Sequence, residues 1–360
     1  MGHIKAAHAI EEALQKFGSE IEVKNINVLD FGSLGFKKFF EESYNFLSTK
    51  VPDVWRMMYE YFNVKARQSK IPLIISKLSV ESKLIGFIKE FKPDFIISTH
   101  PFPIQLLTYA KRQDIIDIPS ANVITDYGCH RLWVNSDVNY YFAATNGVKE
   151  IVKAFGAPEE KIMVNGIPIE EKFQALLPRE EALKKIGFEK SAITVLIVGG
   201  KFAFFDLKKT VNGLLAQNSA LYCIIVCGRD KKLEARLAKA KFCDPSRVLA
   251  LGFVEKIQDL MAASDVIISK AGGLTVSECL ACALPMIIYK IIPGQEEDNA
   301  DFLERAGAGV RLDSSEKIIE WLEDAGKNKK KLNEMSRICA SLGKPYAARA
   351  IAEFVRRKLL

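Results

Sequence analysis

Asp265-Val-Ile-Ile-Ser-Lys-Ala-Gly-Gly-Leu-Thr-Val-Ser-Glu-Cys-Leu-Ala-Cys-Ala-Leu-Pro285 passes through three local states in succession. Asp265–Ser269 is a short apolar run, the pattern of a buried strand. Lys270–Thr275 carries two glycines, which permit a tight turn and close approach of a ligand to the backbone. Val276–Ala283 has helical character, and Leu284-Pro285 ends it. A strand that breaks at glycines and restarts as a helix aims free N–H groups at one point. The helix dipole adds partial positive charge there, so the turn suits an anion such as a diphosphate. Glu278, one turn into the helix, is placed to accept hydrogen bonds from both hydroxyls of a ribose. Spacing alone leaves a plain solvent-facing carboxylate equally open. After the next strand, Pro293-Gly-Gln-Glu-Glu-Asp-Asn299 opens another helix. Its acidic residues make a sensible N-terminal cap. In an open α/β sheet both clusters lie at the carboxyl ends of neighbouring strands, where such folds bind ligands.

Strand-like runs alternate with helical segments on both sides of this stretch. Asp94–Ser98, Ala121–Thr125, Tyr140–Ala144 and Lys161–Asn165 form one series, and Ile193–Val198, Leu221–Val226 and Val248–Leu251 a second. Ile21–Leu29 also alternates like a strand, after a helix that Gly18 ends. Gly199-Gly200 repeats the strand–glycine–helix logic ahead of a helix near Asp206, although two glycines alone are a weak signal. Helices follow near 314–325 and 329–341, and a last one runs to Leu360. The alternation predicts two parallel doubly wound sheets. Gly166–Ile169 reads as the linker, which divides the chain into domains 1–166 and 167–344 and a closing helix at 345–360.

The 360 residues suit two domains, and 49% hydrophobic residues suit full cores. No apolar run approaches the roughly 18 residues of a membrane span, and the opening residues show no signal-peptide pattern. Seven scattered cysteines point to reduced thiols and a cytoplasmic setting. The net charge of +7 is concentrated in residues 326–360, which hold ten Lys or Arg against two Glu. Such a tail serves nucleic acid, anionic lipid or a solvated helix face. No zinc-finger, RNP or basic-zipper pattern accompanies it, so no nucleic-acid partner is expected. Residues 31–75 hold ten of the thirty-five aromatics, interleaved with Lys and Arg. That mixture suits a membrane interface or a lipid cleft, and equally a helical insertion packing its rings inward.

Four histidines are present: His3, His8, His100 and His130. His8 reads as a helix-surface residue. His100 follows one strand, and Asp126 and His130 follow another, where a Rossmann-like half presents polar groups. The histidines lack ligand spacing for a metal. No Asp-x-Asp motif is present, so no metal-bridged diphosphate and no cofactor are expected. Cys279 and Cys282 share one helix face and read as buried structural cysteines.

Lys270-Ala-Gly-Gly-Leu-Thr-Val-Ser-Glu278, Pro293-Gly-Gln-Glu-Glu-Asp-Asn-Ala300 and Thr125-Asp-Tyr-Gly-Cys-His-Arg-Leu-Trp133 resemble motifs of one family. It comprises the monogalactosyldiacylglycerol synthases and bacterial diacylglycerol glucosyltransferases, with the lipid-linked N-acetylglucosaminyltransferase of peptidoglycan synthesis more distant. The resemblance covers nearly the whole chain. It implies the GT-B architecture, with two Rossmann-like domains facing across a cleft and the last helix crossing back to the first. It further implies an inverting glycosyltransferase that moves a hexose from UDP-glucose or UDP-galactose to diacylglycerol or a glycolipid, peripherally on the inner face of the cell membrane and its anionic surface.

Residue by residue, the resemblance assigns the diphosphate to Gly272, Gly273 and Thr275, and the ribose to Glu278. It gives the donor sugar to Gln295 and Glu296, with Asn299 one turn further, and the uracil to the Phe253 backbone; Gly199 and Gly200 join the donor side. His3 becomes the candidate base, Asp126 the second, and His100, His130 and Trp133 the acceptor wall. Two rivals remain: a nucleotide-sugar epimerase of the same fold, and a non-catalytic membrane-associated relative. The second draws on a departure at the start, where relatives have a strand and a Gly-rich loop before the His. Met1-Gly2-His3 enters that motif at its last residues, and the expectation is a reading frame that starts upstream by about ten residues.

Overall fold

The computed structural model describes residues 2–18, 20–33, 50–65, 81–188, 193–199, 207–217, 220–289, 291–292 and 294–360, with positions 35, 37, 38, 42, 43, 46 and 47. The chain forms two compact units. One comprises Met1–Glu171, Ile292–Asp298 and Tyr346–Leu360; the other comprises Lys172–Ile291 and Asn299–Pro345.

In chain order the first stretch gives α1 (Gly2–Gln15), α2 (Pro52–Lys65), α3 (Glu81–Phe91), β1 (Ile96–Ser98), α4 (Pro101–Arg112), β2 (Ser120–Val123), β3 (Tyr140–Ala143), α5 (Asn146–Ala154) and β4 (Ile162–Val164). The strands form a parallel sheet in the order β1-β2-β3-β4. β2 is buried along its whole length, as expected of a parallel strand covered on both faces. Ala121, Val123 and Phe142 pack there with Ile10 and Leu14 of α1.

The second stretch gives α6 (Arg179–Lys185), β5 (Ile193–Val198), α7 (Leu207–Gln217), β6 (Leu221–Val226), α8 (Lys231–Ala238), β7 (Val248–Leu251), α9 (Ile257–Ala262), β8 (Val266–Ser269), α10 (Gly273–Ala281), β9 (Met286–Ile288), α11 (Gln295–Ala306), β10 (Gly309–Arg311), α12 (Ser315–Lys327) and α13 (Lys329–Leu342). Six parallel strands run in the order β10-β9-β8-β5-β6-β7. The order reverses beside β5 and β8, so the turns after those strands lie at the switch point of the sheet. α14 (Ala347–Leu359) closes the first unit: Ile351, Ala352 and Val355 enter the same core as Ile10 and Leu14.

The period of two over Ile21–Leu29 does not produce a strand. Residues 21–27 carry no ladder among the described residues, and Val28–Phe31 closes as a 3-10 turn. The Asn27 side chain accepts from the Leu29 N–H at 3.1 Å and starts that turn. Ile21 and Val23 pack against the first core. Val28 is buried but Ile26 is 38% exposed, so the alternation does not mark one continuous strand face. Much of the aromatic and basic region 31–75 lies outside the described residues, α2 excepted. Among described residues no helix is long and apolar enough to cross a membrane.

Candidate nucleotide-sugar and acceptor site

In the second unit, α10 begins at Gly273 with Gly272 as its N-cap, a residue with no side chain to cap the N–H groups of the first turn. An alanine Cβ at Gly272 would meet nothing closer than the Thr275 hydroxyl at 3.9 Å. A side chain at Gly272 would therefore meet only ordinary contact there among the described residues. Glu278 is only 6% exposed, so the solvent-facing alternative is ruled out. Asn299 is fully buried and its Nδ2 donates to the Ala271 carbonyl at 2.9 Å. That bond commits the Asn299 amide to shaping the glycine turn. Gly199 ends β5; Gly200 lies outside the described residues. Phe253 follows β7 with its ring 59% exposed and the Arg229 guanidinium 5.5 Å from the ring centre. Cys279 is buried, and burial raises its thiol well above the ordinary range.

In the first unit, Gln295 begins α11, and its side chain is outside the described set. Glu296 is 2% exposed and accepts from the Ile292 N–H at 2.7 Å. Glu297 accepts from the Gly294 N–H at 3.1 Å and pairs with Arg56 of α2 at 2.7 Å. Gly294 has φ +96°, and a Cβ there would stand 3.1 Å from the Tyr59 ring. A side chain is therefore excluded on both conformational and steric grounds. At Gly128 the constraint is steric alone, since a Cβ would lie 2.5 Å from the Asp298 Cβ.

His3 lies in the first turn of α1 and turns its ring toward residues that follow β1 and β2. The His3 ring Nδ1 lies 2.7 Å from the Thr99 carbonyl and 2.8 Å from the Thr125 hydroxyl. The Thr99 hydroxyl donates to the His3 carbonyl at 2.9 Å. The His100 ring stands edge-on to His3, with centroids 4.6 Å apart, and the Trp133 ring is 6.2 Å from His3. Burial lowers His3 to about 4, against the opposing hydrogen bond to Thr99. Burial, and then the neighbouring His3, lower His100 to about 3. Both rings are neutral at neutral pH. His100 caps α4, its Nδ1 accepting from the Phe102 N–H at 3.1 Å. His130 does the same for Arg131–Trp133: Nδ1 accepts from Leu132 N–H at 3.1 Å, and Nε2 donates to the Tyr59 carbonyl at 2.9 Å. Both His130 nitrogens thus serve the backbone. The resemblance assigned His130 to the acceptor wall, and nothing in its spacing announced this capping.

Asp126 is 9% exposed, directly after Thr125. Burial, then the Asp126 and Asp298 carboxylates, raise the Cys129 thiol. Trp133 is 4% exposed, its carbonyl accepting from Asn122 at 2.6 Å. The sequence reading passed over Thr125, although a hydroxyl at a strand's carboxyl end was a usable sign.

Residues 3–169 match the monogalactosyldiacylglycerol (MGDG) synthase family, and residues 194–351 match the C-terminal domain of glycosyltransferase family 28. A processive diacylglycerol beta-glucosyltransferase of Bacillus cereus (strain 03BB102) is 30% identical over 361 residues, spanning 98% of this chain and 90% of the relative. Among solved structures, the S. aureus MnaA–UDP co-structure aligns with TM-score 0.65 at 12% identity over 99% of this chain and 93% of its own. MurG of Acinetobacter baumannii aligns with TM-score 0.55 at 18% identity over 77% of each chain. Two parallel α/β sheets, the six-stranded one with a reversal of strand order, place the chain in the GT-B fold of these neighbours. Within that class, the chain belongs to the family of MGDG synthases and processive diacylglycerol glucosyltransferases.

Proposed function

We propose that the protein is an inverting hexosyltransferase that moves a sugar from UDP-glucose or UDP-galactose to the hydroxyl of diacylglycerol or a glycolipid. The observation that carries this reading is Glu278, buried one turn into a helix that opens with two glycines and no side-chain cap. A carboxylate held there meets a ribose diol, while the helix N–H groups and the Thr275 hydroxyl hold the diphosphate leaving group. Gln295 and Glu296 are assigned to the hexose, and Phe253 and Gly199 to the nucleoside end. His3 takes the proton of the attacking hydroxyl, for which its neutral ring is already in the required form. Asp126 is the second base, and His100 and Trp133 flank the acceptor. The diphosphate departs on electrostatic support from the protein, with no metal step invoked.

The acceptor is a lipid, so the enzyme works at an anionic membrane surface, peripherally and on the inner face. α2 supports this: Val54, Met57, Met58 and Tyr61 are exposed at helical spacing on one face, the pattern of an interfacial helix. The test is UDP release from UDP-glucose and UDP-galactose, each with and without diacylglycerol vesicles. Glycolipid product with release that depends on the acceptor is expected. Hydrolysis or epimerisation independent of acceptor would overturn the reading.

A further inference from the structure

We infer that Thr125 is a positioning residue that, together with the Thr99 carbonyl, holds His3 in the tautomer whose Nε2 is the free base. A carbonyl oxygen only accepts, so the 2.7 Å approach of His3 Nδ1 to Thr99 requires the ring proton on Nδ1. The Thr125 hydroxyl oxygen, 2.8 Å from the same nitrogen, then shares that proton as a second acceptor. A neutral imidazole carries one ring proton, so Nε2 is left with its lone pair. Thr125 is 3% exposed and stands two residues beyond β2, and Thr99 immediately follows β1. β1 and β2 are paired neighbours, with Ser98 opposite Asn122. Both partners of the ring are therefore set by one rigid sheet. The Thr99 hydroxyl also grips the His3 backbone carbonyl, which fixes the ring's root as well as its edge.

His100 supplies the contrast. Its Nδ1 accepts from the Phe102 N–H, so its proton sits on Nε2. Two adjacent neutral imidazoles thus carry opposite tautomers, one offering a lone pair at Nε2 and the other an N–H. A wrong tautomer disables a histidine base even where its geometry is intact, so the threonine contacts matter for rate more than for binding. This rests on the reading of His3 as the base, but the tautomer itself is measurable without any turnover.

The experiment is 15N-edited imidazole NMR on the full chain, beside steady-state kinetics of wild type, Thr125→Val, Thr125→Ser and His3→Ala. In the wild type His3 should show the proton on Nδ1, and His100 the proton on Nε2. Thr125→Val, which leaves the Thr99 carbonyl as the remaining acceptor of the Nδ1 proton, should raise the share of the minor His3 tautomer and lower kcat by roughly tenfold with KM for the UDP-sugar unchanged, a fraction of what a whole base contributes. Thr125→Ser, which keeps the hydroxyl, should restore both. Wild-type His3 carrying its proton on Nε2 would overturn the inference, as would a Thr125→Val variant with unaltered tautomer and kcat. The wild-type spectrum and the serine variant decide the matter even where the valine variant folds poorly. Full kcat in His3→Ala alongside the expected wild-type tautomers would instead reject His3 as the base and leave the positioning intact.

Discussion

Glu278 and His3 show what single residues contribute. Removing the Glu278 carboxylate takes away the acceptor of two ribose hydroxyls. Hydrogen bonds to a charged group are worth roughly 1.5–3 kcal/mol, so Glu278→Ala should weaken UDP binding at least about tenfold. Gln295→Ala should leave UDP alone and weaken only the UDP-sugar. Calorimetry with UDP and with the sugar nucleotide separates them, and unchanged UDP affinity in the Glu278 variant would reject the ribose assignment. The pH dependence follows from two depressed histidines. The unfolded chain takes protons near 6.5, while folded His3 and His100 refuse them until about 4 and about 3. The fold is therefore at full strength above 6.5 and weakens as pH falls from there toward about 4 for His3 and about 3 for His100. Transfer should likewise run level through 6.5 and decline only toward about 4. An acid limb of kcat/KM centred near 6.5 would contradict the burial of His3. The offset of Glu278 from the glycines could be read along one segment, but spacing left its exposure open, and only the fold buries it. The Thr125 contact was not legible, since it joins residues 122 positions apart and depends on how β1 and β2 register.

Secondary-structure elements were legible where two signals agreed. β5 and β8 were evident because β-branched apolar runs ended at glycine or a polar turn, and both are buried strands. Ile21–Leu29 misled because its apolar residues change phase between Val23 and Ile26, and Ile26 is left exposed where a strand face would have buried it. α2 sets the clearest test at this scale. Its exposed face carries Met57 at 69% and Tyr61 at 51% exposure. Met57→Asp should lower recovery of the protein on anionic vesicles in a flotation assay, with melting temperature little changed because the side chain is 69% exposed. Equal recovery of variant and wild type would mean that α2 is not the docking face. Salt should weaken the remaining binding, since charges in water are screened beyond about 10 Å at 0.1 M.

The whole molecule joins segments remote in sequence. α14 is apolar along the face that meets α1, and its outer end is basic: Arg356 lies 5.0 Å from the Phe17 ring centre and Lys358 5.2 Å from that of Tyr140. The surplus of charge in residues 326–360 was read as a possible tail. In α14 part of it lies over aromatic rings of the first unit, where cation and ring attract. Ile351 is fully buried. Ile351→Ala should cost about 2–5 kcal/mol, read as a lower urea midpoint for the first unit with the second unit's transition unmoved. A common shift of both transitions would contradict two separate cores. The same helix has a consequence for synthesis. A ribosome makes α1 and the four-stranded sheet first, then the whole of the second unit, and only afterwards the turn of chain that covers Ile10, Leu14 and Phe142. Through that interval the nascent first unit holds an uncovered apolar face while the second, interrupted in sequence only by Ile292–Asp298, is free to fold. A chaperone that binds such faces during translation would find its longest-lived target in the part of the protein that is made earliest.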